Sequence, residues 1–184
     1  MALVESSAAT KGQPQPSFSL LSTHHGSVSS DDYKGPQGLL IVFTCNLCPY
    51  AMALWDRLIR DAKKIQAMGF GILAINSNNH PDYPDDGWDH MITLSERYAL
   101  PFPYLWDPDQ SVAHQYDAQC TPDNYIVSVD DRLLYRGAYD DDWKNASNVR
   151  RPYVMDQLTA ISMGTDCEDA SKWVRSMGCS IKWQ

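Results

Sequence analysis

Residues 38–49 read GLLIVFTCNLCP, an apolar run that ends in a Cys-x-x-Cys pair and a proline. Residues 38–44 have the length of a β-strand, and a strand without polar positions is typical of the buried middle of a sheet. Cys45 and Cys48 follow directly, and Pro49 suits the first turn of a helix, where its missing N–H costs nothing. The stretch therefore predicts a turn from a buried strand to a helix, with two thiols at the turn.

The residues after the cysteine pair follow a helical period. Apolar side chains recur every three or four positions over residues 48–68, charged side chains occupy the other side, and Gly69 is well placed to end the helix. Residues 70–76 form a second apolar run of strand length. A strand, a helix and a strand in this order predict a parallel strand pair joined by a right-handed crossover.

The second half of the chain predicts further elements of both kinds. A helix begins near Trp88 and stops before Pro101, a hairpin joins residues 125–129 to residues 133–137, and a last helix covers residues 149–163. Together these elements predict an α/β fold with a central mixed β-sheet and helices on both faces.

At 184 residues the chain has room for one domain with a packed core. Residues 1–16 are rich in Ala, Ser, Gln and Pro and predict a flexible N-terminal lead. Residues 17–164 hold the predicted domain, which opens with a small β-hairpin at residues 18–28. Residues 165–184 form a cysteine-containing tail whose pattern predicts no secondary structure.

Composition and charge exclude several classes of partner. The formal net charge is −8, whereas nucleic acids and anionic membranes attract clustered Lys and Arg. No apolar run approaches the roughly 20 residues of a membrane span, and the N-terminus lacks a basic segment followed by an apolar one. We therefore expect a cytoplasmic protein without nucleic-acid or membrane partners. In that compartment cysteines serve catalysis or metal binding rather than structural disulfides.

Two kinds of chemistry use a Cys-x-x-Cys pair at a strand-to-helix turn. Unpaired N–H groups in the first turn of the helix stabilise a thiolate, and such sites lower a cysteine pKa from about 8.5 into roughly the 3.5–7.5 range. Thiolates also bind soft metals, and a zinc site could draw its four ligands from Cys45, Cys48, Cys120 and Cys179. The pair alone leaves redox chemistry and metal binding open.

Motifs spread over residues 17–184 resemble the thioredoxin-like superfamily and, within it, redoxins of the AhpC/TSA group. In the superfamily a Cys-x-x-Cys pair follows the first central strand, and a Thr-Pro whose proline is cis opens a later strand. Thr121 and Pro122 match the second feature. A bacterial peroxiredoxin-like subgroup is similar in four motifs, which are CNLCPY at 45–50, AINSN at 74–78, CTPD at 120–123 and SMGCSIKW at 176–183. The resemblance implies a thioredoxin-like fold with an N-terminal β-hairpin extension.

The resemblance also implies a mechanism. Cys45 would be the attacking thiolate, and Cys48, one helical turn inside, would resolve the mixed disulfide. The residues expected to support them are Asn46, Leu47, Pro49, Thr121 and Pro122. The implied activity is that of a thiol–disulfide oxidoreductase without a cofactor. It would act on a disulfide in a protein or a small molecule and be re-reduced by a cellular thiol.

Cys120 and Cys179 are candidates for additional redox thiols. Cys120 precedes the Thr-Pro motif, whose loop lies against the active site in the implied fold, and Cys179 lies in the matching tail motif. A cysteine without a role is the alternative for each of them. Cys167 has no motif around it, and we expect no role for it.

A thiol peroxidase is the second enzymatic hypothesis. Peroxiredoxins carry a Thr or Ser three residues before the reactive cysteine and an Arg on a later strand. The residue three positions before Cys48 is Cys45, and the residue three positions before Cys45 is Val42. Neither cysteine therefore has the required Thr or Ser. Arg136 is the remaining candidate for the arginine. A metal-binding protein is the third hypothesis and the one without enzymatic activity.

Overall fold

A computed structural model describes residues 2–165 and 167–184. Met1 in the expected lead and Asp166 in the expected tail lie outside the described residues. The strands are β1 (Leu3–Glu5), β2 (Ser19–Ser22), β3 (Gly26–Ser29), β4 (Gly38–Phe43), β5 (Phe70–Asn76), β6 (Tyr104–Trp106), β7 (Cys120–Thr121), β8 (Asp123–Val127), β9 (Leu133–Gly137) and β10 (Met177–Ser180). The α-helices are α1 (Ser30–Tyr33), α2 (Pro49–Ala67), α3 (Trp88–Tyr98), α4 (Ser111–Gln115) and α5 (Tyr153–Ser162).

The apolar strand β4 lies inside the larger of two sheets. Its neighbours are β5, which is parallel to it, and β8, which is antiparallel. In the described part of the chain this sheet has the order β3-β2-β6-β5-β4-β8-β9, and a smaller sheet has the order β1-β10-β7. The β4–α2–β5 unit is the predicted parallel pair with its helical crossover. The predicted mixed sheet and the predicted N-terminal hairpin, β2 with β3, are both present.

Alternate residues of β4 face opposite layers, which explains why the whole strand is buried. Leu40 and Val42 share a cluster with side chains of α2, α3 and α5. Leu39, Ile41 and Phe43 belong to a second cluster on the other face, with side chains of α4 and the N-terminal hairpin. The turn that carries the cysteine pair therefore starts from a strand that is fixed on both faces.

Helix α2 begins directly after Cys48 because Pro49 occupies its first turn. The helix ends at Ala67, and Gly69 follows at φ +91°, a backbone conformation that is unfavourable for residues with a β-carbon. These bounds agree with the predicted 48–68 to within a residue. Helix α5 begins later than predicted, since Pro152 disfavours helical backbone in the residue before it.

The ends of the chain carry strands in the lead, which was expected to be flexible, and in the tail, for which no secondary structure was predicted. β1 pairs with β10 in antiparallel register, with Val4 opposite Gly178, and β10 pairs in turn with β7. The lead then follows the edge of the large sheet, where the N–H of Gly12 donates to the carbonyl of Leu133 at 2.7 Å. The composition of the lead does not reveal this pairing, because the partner strand lies at the opposite end of the sequence.

Candidate active site

Cys45 and Cys48 lie at the carboxyl end of β4, on either side of the turn into α2. Both are reduced and buried, with exposed fractions of 0% and 2%. They form a small cluster with Ala51 from α2 and with Cys179 from β10. The structure therefore brings three thiols together at the N-terminus of a long helix.

A buried carboxylate holds the turn between the two cysteines. Asp86, which is 4% exposed, accepts hydrogen bonds from the backbone N–H groups of Asn46 at 2.8 Å and Leu47 at 3.1 Å. Its other oxygen accepts one from the side-chain amide of Asn78 at 2.9 Å. Asp86 thus satisfies two backbone donors of the turn and places a negative charge near Cys45.

The side chain of Asn46 ties the same turn to its surroundings. Its amide nitrogen donates to the carbonyl of Asp85 at 3.1 Å, and its amide oxygen accepts from the hydroxyl of Tyr104 at 2.9 Å. The indole of Trp55 donates to the carbonyl of Cys45 at 3.4 Å. The turn is therefore positioned from β6, from α2 and from the loop before α3.

Thr121, on β7, contacts both thiols of the Cys-x-x-Cys pair. Its hydroxyl lies 3.3 Å from the sulfur of Cys45, and its carbonyl oxygen lies 3.2 Å from the sulfur of Cys48. The peptide bond from Thr121 to Pro122 is cis, as the resemblance implies. The Thr-Pro motif and the cysteine motif, which are far apart in sequence, meet at one site.

The environment of Cys48 stabilises its thiolate. The thiol of Cys45 is the strongest donor to its sulfur, and the thiol of Cys179 and the backbone N–H groups of Ala51 and Cys179 also donate to it. These donors outweigh the cost of burial and lower the pKa of Cys48 to about 5. The carbonyl of Thr121 favours the protonated form and so opposes the shift. Of the two cysteines of the pair, Cys48 is therefore the one whose thiolate the surroundings favour.

Cys45 has the opposite environment. Burial raises its pKa well above the usual range, and Cys48 and the charge of Asp86 raise it further, against a smaller effect of the Thr121 hydroxyl. This order of acidity is the reverse of the expected one, in which Cys45 is the exposed thiolate at the helix edge. The reason is that the Cys48 sulfur accepts hydrogen bonds from the thiols of Cys45 and Cys179 and from the N–H of Ala51 in the first turn of α2, whereas Cys45 lies before the helix and is completely buried.

The two candidate additional thiols have different surroundings. Cys179 lies opposite Thr121 in the register of β10 and β7, so the two side chains share one face of the small sheet. Cys120 precedes Thr121 on β7 and faces the other way. Burial raises the pKa of Cys120, whose sulfur lies 3.7 Å from the carbonyl of Pro122. Cys179 joins the thiol cluster, whereas Cys120 and Cys167 lie outside it.

Leu47 brings the turn to the surface, since its side chain is 48% exposed. A cavity of about 140 Å³ opens beside it and gives access to the sulfur-bearing residues. Its lining includes Leu47, Cys48, Asp82, Tyr83, Asp85, Cys179 and Lys182. A substrate that enters this cavity meets Cys48 and Cys179 before Cys45, which is not part of the lining.

Asp86, Asn78 and Tyr104 were not identified as site residues from the sequence, although Asn78 lies in one of the matching motifs. Asp86 and Asn78 come from the loop after β5, and Tyr104 comes from β6. The carboxyl end of β5 lies next to that of β4, because the two strands are parallel neighbours. Loops that follow neighbouring parallel strands meet at one edge of a sheet, and that placement is the signal that could have identified them.

Arg136, the candidate for a peroxide-binding arginine, lies in a buried network of its own. Its guanidinium donates to the carboxylate of Asp123 at 3.0 Å, to the carbonyl of Asp117 at 2.6 Å and to the hydroxyl of Ser7 at 2.9 Å. These partners use donors on each of its terminal nitrogens. The structure therefore gives Arg136, on β9, a role in packing the lead and the loop after α4 against β8.

The zinc hypothesis requires four ligands in one place. In residues 2–165 and 167–184, no group of three or more His, Cys, Asp or Glu side chains is arranged to hold a metal ion. Cys120, one of the four expected ligands, lies outside the cluster of the other three. Over the same residues, none of the helices has the length and apolar character needed to cross a membrane.

Comparison with solved structures identifies close and distant relatives. A crystal structure of an uncharacterized conserved protein from Geobacillus kaustophilus is 37% identical, with a TM-score of 0.93 over 100% of this chain and 97% of that chain. The thioredoxin domain of a thiol-disulfide oxidoreductase from Bacteroides vulgatus is 17% identical, with a TM-score of 0.59 over 76% of this chain and 96% of that domain. Peroxidoxin BcpB from Mycobacterium tuberculosis is 12% identical, with a TM-score of 0.64 over 84% of this chain and 97% of that chain.

The thioredoxin domain and the peroxidoxin resemble this chain in fold, and this similarity confirms the thioredoxin-like architecture. No functionally curated protein matches the sequence significantly. The model of the AhpC/TSA family matches residues 11–136, which is more than half of the chain and includes the cysteine pair and the Thr-Pro motif. The chain therefore belongs to the AhpC/TSA family.

Proposed function

We propose that the protein is a thiol–disulfide oxidoreductase whose dithiol is Cys45 and Cys48. The observation that carries the proposal is the geometry of the pair: two free thiols lie together at the start of α2, beside the cis Thr121–Pro122 bond, and the Cys45 thiol donates to the Cys48 sulfur. Thiol–disulfide exchange needs such a pair, one sulfur to attack and a second to resolve. Membership of the AhpC/TSA family supports oxidoreductase chemistry in general.

In the proposed cycle Cys48 attacks first. Its thiolate forms a bond to one sulfur of the substrate disulfide, the substrate S–S bond breaks, and the other substrate sulfur leaves as a thiolate. Cys45 then loses its proton and attacks the sulfur of Cys48, which forms the Cys45–Cys48 disulfide and releases the second substrate thiolate. The substrate gains two electrons, and a cellular thiol reductant restores them to the protein.

This order differs from the one that the resemblance implies, in which Cys45 attacks and Cys48 resolves. A thiol with a lowered pKa is ionised at neutral pH and attacks readily, whereas a buried thiol with a raised pKa does not. Cys48 also lines the cavity that opens to the surface, and Cys45 does not. Both orders use the same pair and end in the same disulfide.

The substrate that we propose is a disulfide in a protein or a small molecule, handled without a cofactor. The lining of the cavity contains three acidic residues, Asp82, Asp85 and Asp86, and one basic residue, Lys182, and this excess of negative charge favours a neutral or basic group beside the disulfide. We propose the cytoplasm as the compartment, because cellular thiols there keep such a dithiol reduced.

A thiol peroxidase is the second candidate, and the thiolate of Cys48 is the observation that favours it. In that reaction the Cys48 sulfur attacks a peroxide oxygen, the O–O bond breaks, and Cys48 becomes a sulfenic acid while water or an alcohol leaves. The position three residues before Cys48 is Cys45 rather than Thr or Ser, and Arg136 donates to Asp123 and Asp117. Because of these two features, we prefer the thiol–disulfide oxidoreductase to the thiol peroxidase.

Reduction of insulin by dithiothreitol, compared with peroxide consumption under the same reductant, tests the proposal. We expect the wild-type protein to accelerate insulin reduction above the rate of the reductant alone and to consume peroxide slowly. Cys48→Ser should abolish the acceleration, and Cys167→Ser, whose thiol lies outside the cluster, should preserve it. Peroxide turnover faster than insulin reduction would favour the peroxidase, and full reductase activity in Cys48→Ser would refute the proposed dithiol.

A further inference from the structure

The cavity beside the cysteine pair is lined by a second thiol, that of Cys179. We propose that Cys179 is a further resolving thiol, so that a mixed disulfide at Cys48 is closed either to Cys45 or to Cys179 on β10. The inference rests on the proposed function, because it requires Cys48 to attack the substrate first. It adds Cys179, on the C-terminal strand β10, to an active site in which Cys45 and Cys48 could complete the exchange without it.

Strand register brings Cys179 to Cys48. Cys179 lies directly opposite Thr121 in the antiparallel pair of β10 and β7, and side chains directly opposite each other share a face of the sheet. The carbonyl oxygen of Thr121 lies 3.2 Å from the sulfur of Cys48, and its hydroxyl lies 3.3 Å from that of Cys45. Both the thiol and the backbone N–H of Cys179 donate to the sulfur of Cys48. The attacking sulfur therefore has two thiol neighbours, those of Cys45 and Cys179.

Burial and charge favour Cys179 over Cys45 as the resolving group. Cys45 is completely buried, and the charge of Asp86 near it persists throughout the cycle. Cys179 is 5% exposed and lines the open cavity, where the ammonium of Lys182 favours its ionisation.

The mixed disulfide also changes the acidity of Cys179. Burial raises the pKa of Cys179 to about 12, with the neighbouring Cys48 thiolate contributing to the increase. When Cys48 is bound to substrate, its sulfur carries no charge, and that contribution disappears. Cys179 therefore becomes more acidic at the moment when a resolving thiolate is needed.

The step balances as a thiol–disulfide exchange. The thiol of Cys179 releases its proton to solvent through the cavity, and its sulfur attacks the sulfur of Cys48. The Cys48–Cys179 bond forms, the bond between Cys48 and the substrate breaks, and the substrate sulfur leaves as a thiolate. Cys48 and Cys179 each lose one electron, and the two sulfurs of the original substrate disulfide each gain one.

Titration with one equivalent of 4,4′-dithiodipyridine measures attack and resolution separately. Attack on this small disulfide releases a first thiopyridone, and resolution of the mixed disulfide releases a second. We expect Cys45→Ser to release two thiopyridones and to contain a Cys48–Cys179 disulfide by peptide mapping. The double variant Cys45→Ser/Cys179→Ser should release one and keep the other pyridylthio group on Cys48.

The matched control is Cys45→Ser/Cys120→Ser, because Cys120 lies on β7 beside Thr121 but faces away from the cluster. It should still release two thiopyridones. Release of one by Cys45→Ser, with a stable adduct at Cys48, would overturn the role of Cys179 and leave the proposed dithiol intact. Release by Cys48→Ser as fast as by the wild type would instead refute the proposed function.

Peptide mapping of the partly oxidised wild-type protein provides a second test that does not depend on the folding of a variant. We expect a Cys48–Cys179 disulfide beside the Cys45–Cys48 disulfide. A product that contains the Cys45–Cys48 disulfide without any Cys48–Cys179 disulfide would overturn the inference.

Discussion

The carboxylate of Asp86 lies 2.8 Å from the backbone nitrogen of Asn46, inside the turn that separates the two cysteines. Asp86 therefore does what a bound anion would do at such a turn, since it accepts hydrogen bonds from backbone donors that have no partner in a strand or helix. Its charge also disfavours a thiolate at Cys45. The surroundings consequently favour the thiolate at Cys48, whose sulfur accepts hydrogen bonds from its two neighbouring thiols and from a backbone N–H in the first turn of the helix.

Replacing Asp86 by Asn should loosen the turn and make Cys45 more acidic. The variant keeps one oxygen acceptor but loses the charge, and its amide faces the amide of Asn78. We expect the free energy of unfolding to fall by about 1–3 kcal/mol and the pKa of Cys45 to decrease. Denaturant unfolding and the pH dependence of alkylation measure the two effects. The control is Asp85→Asn, because the side chain of Asp85 is 61% exposed. It should change neither the free energy of unfolding nor the pKa of Cys45.

The alkylation rate of Cys48 should be nearly independent of pH around neutrality. Since its pKa lies at about 5, the thiolate fraction is almost complete above about pH 6 and falls tenfold per pH unit well below pH 5. Iodoacetamide labelling followed by peptide mapping measures this rate, and Cys48→Ser identifies the signal. A rate that keeps rising up to about pH 8.5, the behaviour of an ordinary cysteine, would contradict the assignment of the thiolate to Cys48.

The thiolate of Cys48 should also make folding stability depend on pH. Its pKa is lower in the folded than in the unfolded state, so between about pH 5 and pH 8.5 the unfolded chain binds more protons at this group. Its contribution to stability therefore increases with pH across that window and is lost as the pH falls through about 5. The difference in unfolding free energy between wild type and Cys48→Ala should change with a slope of at most ~1.4 kcal/mol per pH unit. A difference that is constant with pH would contradict the lowered pKa.

Removing the hydroxyl of Thr121 should slow resolution by Cys45. That hydroxyl lies 3.3 Å from the Cys45 sulfur and favours its ionised form, so Thr121→Val should raise the pKa of Cys45 further. In a Cys179→Ser background we expect release of the second thiopyridone to slow by about fivefold, as for the loss of about 1 kcal/mol. Release of the first should be unchanged, and Thr121→Ser, which restores a hydroxyl, should recover the rate. Equal slowing of both releases would indicate a general structural defect.

The secondary structure on either side of the cysteine motif was predictable, because it depends on the spacing of apolar residues along the chain. The apolar residues of β4 and the helical period of α2 are visible in the sequence, and the structure places both within a residue of their predicted bounds. The meeting of Cys45 with Thr121 followed from the resemblance. The relative acidity of the cysteines did not follow, because it depends on the hydrogen bonds that Cys48 accepts from Cys45 and Cys179, on the burial of Cys45 and on Asp86, a residue of another loop.

The ends of the chain show why strands β1 and β10 were not predicted from the sequence. β1 and β10 are short, and neither carries the alternation or length that marks a strand. Their stability comes from pairing with each other and with β7, which is a contact between opposite ends of the sequence. Local composition describes such segments as a lead and a tail, and the position of Cys179 at the active site depends on their pairing.

Deleting residues 2–5 should therefore affect the chemistry of Cys179 without removing any thiol. β10 has three residue pairs with β1 and two with β7, so the deletion leaves its attachment to the shorter partner. We expect the amides of residues 177–180 to exchange with solvent faster, and the yield of the Cys48–Cys179 disulfide to fall relative to that of Cys45–Cys48. Hydrogen exchange and disulfide mapping by mass spectrometry measure both.

The control for this deletion is Leu3→Ala, which keeps the backbone pairing of β1 and shortens a side chain that is 56% exposed. It should leave the exchange of residues 177–180 and the ratio of disulfides unchanged. Because backbone hydrogen bonds rather than the exposed side chain hold β10 in register, the deletion and the substitution should differ clearly. Equal disulfide ratios in the deletion variant and the wild type would show that β7 alone positions Cys179 beside Cys48.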